Sequence, residues 1–173
     1  MDPARNEPER HAFHDASTGL LNHRGLSERL DTAVALARRV DFEVTLLLID
    51  IAPGANEAAT ESTPAPWRAV AAELTAAVRD HDLVARTGTT EFAVVLQASE
   101  GGVAVAVAER LLAGLARLLS SAGARPAPPV SVGAATFPGD AEDVVGLWRG
   151  ATVALARARE RGGGAVAYAA ATG

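Results

Sequence analysis

Residues 43 to 51, Glu-Val-Thr-Leu-Leu-Leu-Ile-Asp-Ile, are apolar almost without interruption, and no other stretch constrains the fold as tightly. A strand that alternates polar and apolar residues needs cover on one face; a continuous apolar strand is covered on both. Helices must therefore lie above and below the sheet that holds it, and the flanking sequence supplies them. Leu26, Leu30, Ala33 and Ala37 share one face of a helix expected from Arg24 to Arg39, with Glu28, Arg29 and Arg38 off it. Trp67, Val70, Leu74 and Val78 mark a second helix after the proline-rich loop 53–66, and Pro64 and Pro66 suit its first turn, where a missing N–H costs little. Val103, Val107, Leu111, Leu115 and Leu118 mark a third, with Ser99 as its expected cap. A fourth spans about Asp143 to Arg161 and stops at Gly162-Gly163-Gly164.

Strand signals fall between these helices. Leu83 to Gly88 and Phe92 to Leu96 read as two strands joined by a tight turn at Thr89-Thr90, Val130 to Phe137 reads as another closed by Pro138-Gly139-Asp140, and a short one follows near Val166. This order points to an α+β or α/β sandwich and away from a helix bundle.

At 173 residues, 49% of them apolar, the chain suits one globular domain, expected over 12–170 behind a flexible lead at 1–11. Aromatic residues make up only 4%, so Ala, Val and Leu must build the core. The net charge of −5 argues against a nucleic-acid partner. Without cysteine there is no disulfide and no thiolate metal site. The polar first residues lack an export signal, and no apolar run reaches the length of a membrane span, so the expected compartment is the cytoplasm.

Five motifs in order resemble the GGDEF (diguanylate cyclase) family over roughly residues 12 to 168. They are His14-Asp15-Ala-Ser-Thr18-Gly19-Leu20-Leu21-Asn22-His-Arg24; the strand Leu48-Ile49-Asp50-Ile51; Arg79-Asp-His-Asp82-Leu-Val-Ala-Arg86 leading into Thr-Gly-Thr-Thr-Glu-Phe92; Ser131-Val-Gly133; and Ala151-Thr-Val-Ala154-Leu155-Ala-Arg-Ala158-Arg159. The resemblance implies an α+β, nucleotidyl-cyclase-like fold in three layers. Its sheet would be mostly antiparallel, with a hairpin over 83–98 and about five helices around it.

The resemblance also implies a reaction, the joining of two GTP molecules with divalent metals held by paired carboxylates. Measured against it, this chain is degenerate. Asp50 fills the first metal position and is the only retained metal candidate. Ala52 stands where the second carboxylate would fall, Thr90 where the hairpin ligand would fall, and Thr89 where the second glycine would fall. Glu91 keeps the fourth hairpin position, so a reduced one-metal site would need Asp50 with Glu91. Hard cations want several anionic oxygens, so no metal and no cofactor is expected, with magnesium entering only if weak activity persists. The loop 53–66 carries no Asp for a guanine edge, leaving Asn56 and Glu57 as its polar candidates. Arg159 matches the family's phosphate-contacting Lys, while Gly163 takes the place of the next basic residue.

Arg79-x-x-Asp82 has the spacing of the family's inhibitory site, which binds cyclic di-GMP, and Arg110 is the candidate second arginine by spacing alone. An arginine fork can donate to guanine O6 and N7 while a carboxylate accepts from guanine N–H groups. Equally, Arg79 suits a helix end and Asp82 a turn. His11, His14 and His23 read as solvated residues, and Gly162-Gly163-Gly164, following a helix, reads as a cap. Three functions compete: an inactive regulatory domain that reads cyclic di-GMP, a structural or dimerising module that binds no nucleotide, and a weak diguanylate cyclase using GTP. The first is favoured, with a protein partner or a second copy of the chain as its means of output.

Overall fold

A computed structural model describes residues 12–52, 64–98, 101–121 and 127–169. The Leu-rich run forms β1 (Val44–Ile51), which lies at the centre of a five-stranded sheet. On one side it pairs antiparallel with β3 (Glu91–Gln97), which pairs in turn with β2 (Leu83–Arg86); on the other it pairs antiparallel with β4 (Val130–Phe137). The short β5 (Ala165–Tyr168) runs parallel to β4, giving the order β2-β3-β1-β4-β5.

Four helices cover this sheet: α1 (His23–Val40), α2 (Pro64–Ala76), α3 (Gly101–Ser121) and α4 (Val144–Glu160). About five were expected; four are present among the described residues, and Ala12 and Phe13 are helical as well. Alternation along β1 divides the core in two. Val44, Leu46 and Leu48 face α1 and α4, whereas Leu47, Ile49 and Ile51 face α2 and α3. Burying each of these Leu and Ile side chains contributes about 1.5–3 kcal/mol. Thr45 turns inward among them, and its hydroxyl is satisfied by Thr136 Oγ1 at 2.9 Å.

Local chemistry sets the helix ends. Asn22, not the residues after it, caps α1 by accepting from the Gly25 N–H at 2.9 Å, and Asp143 caps α4 by accepting from Gly146 at 2.7 Å. The expected Ser99 cap lies outside the described residues. At Gly133 an added Cβ would stand 2.2 Å from the Leu155 nitrogen and 2.4 Å from the Ala151 carbonyl oxygen, so the α4 backbone rests directly on β4. That close contact fixes where the last turn of α4, with Arg159, meets the sheet.

Candidate functional site

The end of β1, the turn between β2 and β3, and the last turn of α4 meet at one corner of the sheet. Asp50 is paired with Glu91 on β3 and with Ser131 on β4. Thr87 and Gly88 both donate their N–H groups to the Glu91 carbonyl, closing the turn that carries Thr89 and Thr90. No positive φ is needed there: among the described residues the non-glycine residues with positive φ are Asp41 and Ala98. Thr89 therefore occupies the position expected of a glycine in a conformation that a β-branched residue tolerates.

Each carboxylate in this corner already has a partner. Thr90 Oγ1 donates to Asp50 Oδ1 at 2.9 Å, and Arg159 Nε donates to Asp50 Oδ2 at 2.9 Å. Arg159 Nη2 donates to Glu91 Oε1, also at 2.9 Å. One guanidinium thus bridges two carboxylates from two strands. Burial pushes the Arg159 guanidinium towards neutrality, but its bonds to Asp50 and Glu91 outweigh this and raise its pKa. Although half exposed, Arg159 directs Nε and Nη2 to the two acids. Ala52 brings no side-chain donor, and among the described residues no group of three or more His, Cys, Asp or Glu is arranged to hold a metal ion. This donor set does not fit a two-magnesium centre.

Arg79, Asp82 and Arg110 do come together. They line one cleft of about 150 Å³ with Val78, Leu96 and Val107, between the end of α2, the start of β2 and the face of α3. Arg79 and Arg110 are exposed. Asp82 is tied into the backbone: its Oδ2 accepts from the Arg79 N–H at 2.9 Å and its Oδ1 from the Gln97 N–H at 3.0 Å. Its side chain keeps only 6% of its surface, with His81 Nε2 at 3.9 Å. Arg110 Nη2 donates to the Ala77 carbonyl, which orients it along the cleft wall.

Other sequence candidates are dispersed. His14 Nδ1 lies 3.1 Å from the Gly19 carbonyl, while the His23 ring sits 5.2 Å from Trp148; His11, Asn56 and Glu57 lie outside the described residues. Gly162, Gly163 and Gly164 all have positive φ, and their N–H groups donate to Arg159, Ala158 and Val130 carbonyls, leaving none for an anion.

Sequence reasoning gave Arg86 no role, although it stands just before the hairpin turn. Its Nη1 donates to Ser17 Oγ at 2.6 Å and lies 3.6 Å from Asp15 Oδ1; its Nη2 donates to the Thr89 carbonyl at 2.7 Å. The guanidinium also lies 5.2 Å from the Trp67 ring centre. Arg86 thus ties the N-terminal turn to the hairpin turn, with its Nε buried and unpaired. Its position, at the end of a strand and ahead of a turn, was the available signal.

A central strand ending in a carboxylate beside a hairpin turn, in a mixed sheet covered by helices on both faces, is the nucleotidyl-cyclase-like class of α+β domain. The sequence profile "Diguanylate cyclase, GGDEF domain" matches residues 66–165, and the chain belongs to the GGDEF family. It is 29% identical over 154 residues to the bifunctional diguanylate cyclase/cyclic di-GMP phosphodiesterase MucR of Pseudomonas aeruginosa, covering 87% of this chain and 22% of MucR. A second relative, an uncharacterized signaling protein of Caulobacter vibrioides, is 32% identical over 159 residues, covering 88% of this chain and 20% of that protein. The chain therefore spans about a fifth of the length of these curated relatives. Its fold is like that of the coiled coil and GGDEF domain of DgcB from Caulobacter crescentus, solved in complex with c-di-GMP, with a TM-score of 0.80 at 21% identity over 96% of this chain and 90% of that one. Among the described residues no helix is long and apolar enough to cross a membrane.

Proposed function

We propose that this chain is a catalytically inactive GGDEF domain that serves cyclic di-GMP signalling as a regulatory module. One observation carries the reading: the two carboxylates that remain, Asp50 and Glu91, are bridged by Arg159, with Thr90 donating to the first of them. Losing several kcal/mol of metal-supplied transition-state stabilisation is enough to silence the reaction, since about 4 kcal/mol is roughly a thousandfold in rate. Purified protein incubated with GTP and magnesium should form no cyclic di-GMP. Turnover at a rate within tenfold or so of an active cyclase, about 1.4 kcal/mol in barrier, would sink the reading.

A receptor role is favoured by the meeting of Arg79, Asp82 and Arg110 in one cleft. Its volume is below the range of about 300–1,000 Å³ usual for enclosed ligand sites, so it suits one base edge, with the rest of a dinucleotide lying over the surface. Arg79 and Arg110 supply the donors, and Asp82 stiffens the wall through its backbone bonds while a carboxylate retains lone pairs to spare. Calorimetric titration with cyclic di-GMP separates the readings. Binding lost in Arg79→Ala supports the receptor; no heat with the dinucleotide or GTP leaves a structural or dimerising module, whose self-association analytical ultracentrifugation would reveal.

A further inference from the structure

We infer that Arg159 is a resident cation, filling the place a divalent ion would take between Asp50 and Glu91 and masking a latent cation site. The inference rests on the inactive-site reading above and goes beyond it, because it concerns what occupies the carboxylates and not whether GTP turns over. Both contacts are 2.9 Å, made by two different nitrogens of one planar group to acids on two different strands. A point charge could not do this as well: the fork of the guanidinium spans the gap and satisfies both acids with directed bonds. The Asp50 side chain keeps only 13% of its surface, so its charge requires a partner, whereas Arg159 and Glu91 are about half exposed.

The placement is built into the fold. Arg159 stands in the last turn of α4, where a cation suits the helix dipole. Gly133 lets that helix rest on β4, two pairings along from Ser131, which faces Asp50 across the sheet. Neutralising the carboxylates costs the chain no free ion, and it joins β1, β3 and α4 at the corner where the hairpin turn is held. A divalent ion bridging the two acids would compete with Arg159 for Asp50 Oδ2 and Glu91 Oε1, and the hydroxyl of Thr90 would remain as a neutral oxygen beside Asp50.

Manganese(II) alone, without nucleotide, tests this. Wild-type protein titrated with millimolar manganese should show no binding by calorimetry, no rise in melting temperature, and no selective paramagnetic broadening of resonances from Asp50 or Glu91. Arg159→Gln removes the charge and the guanidinium tip while keeping a polar side chain, and it should bind manganese at least about tenfold more tightly than wild type, with a matching manganese-dependent rise in melting temperature. Adding Asp50→Asn should abolish the gain. Manganese binding in the wild type equal to that of Arg159→Gln, or no gain in the variant, overturns the inference. Should Arg159→Gln not fold, the wild-type spectrum decides alone: selective broadening at Asp50 and Glu91 by manganese refutes a resident arginine, and its absence at these residues supports one. None of these readouts requires cyclase activity or dinucleotide binding, so manganese binding to the wild type would overturn the resident arginine, while GTP turnover remains the separate test of the proposed function.

Discussion

Thr90 Oγ1 lies 2.9 Å from Asp50 Oδ1, a hydrogen bond that runs from the hairpin turn to the end of β1 across the β1–β3 pair. The acceptor is charged and its side chain is largely buried, so the bond falls in the stronger part of the range for side-chain hydrogen bonds. Thr90→Val keeps the shape and removes the donor, and it should cost about 1–1.5 kcal/mol, seen as a fall of roughly 2–5 °C in melting temperature. Thr90→Asp restores the acid that the family pattern has there but sets it against Asp50 and Glu91. In metal-free buffer it should melt lower than Thr90→Val. With GTP and magnesium it should still make no cyclic di-GMP, because Ala52 offers no ligand and Arg159 remains on the acids.

Gly133 is the point at which α4 touches the sheet. Gly133→Ala places a methyl group 2.2 Å from the Leu155 nitrogen, a backbone atom that cannot rotate away. The helix must lift, and the cost should reach or exceed the 1–3 kcal/mol or so of ordinary overpacking. Gly139 is the control: an added Cβ there would meet only the Thr136 carbonyl oxygen at 4.0 Å, and its φ is not positive. Gly139→Ala should stay within about 0.5 kcal/mol of wild type. Chemical denaturation of the pair checks both, and equal stabilities would refute the close packing of α4.

What the sequence made legible follows from the range of the forces involved. The Leu-rich β1 run and the Leu26-Leu30-Ala33-Ala37 face of α1 are local patterns fixed by burial, and they could be read directly. Helix starts drifted by a residue because capping depends on one side chain; Asn22 and Asp143 set them. Strand order was beyond periodicity, since β1 pairs with β3 and β4, which are separated from each other by the whole of α3. The site split in the same way. Asp50, Thr90 and Glu91 could be aligned against a family pattern, but the bridge from Arg159 joins residues 109 and 68 positions apart and depends on how α4 settles on Gly133.

Arg86 holds the N-terminal turn to the hairpin turn through Ser17 Oγ at 2.6 Å and the Thr89 carbonyl at 2.7 Å, beside the backbone bonds that join Leu21 to Val84 and Arg86. Arg86→Ala removes both charge-assisted bonds and the contact with Trp67, and should cost about 2–4 kcal/mol. Arg86→Lys should rescue little, because an ammonium cannot reach both partners from one planar group. Trp67 reports locally: its emission should change in Arg86→Ala and in Arg86→Lys before global unfolding begins. A lysine variant as stable as wild type would show that the fork geometry is immaterial.

Asp15 gives the N-terminal turn a pH dependence of definite sign. Burial pushes its carboxyl up, but hydrogen bonds from the Thr18 and Ser17 hydroxyls and the Thr18 N–H, with the nearby charge of Arg86, prevail and hold its pKa below the ordinary value. The folded state therefore favours the ionised form. Its stabilising contribution is fully present above the unfolded pKa of about 3.9 and is lost as pH falls through the lower folded value. Asp15→Asn cannot ionise, so its deficit relative to wild type should be largest near neutral pH and should shrink as the pH falls below about 4. Melting temperatures of both proteins from neutral pH into acid test this, and a deficit that widens on acidification would reverse the sign assigned to Asp15.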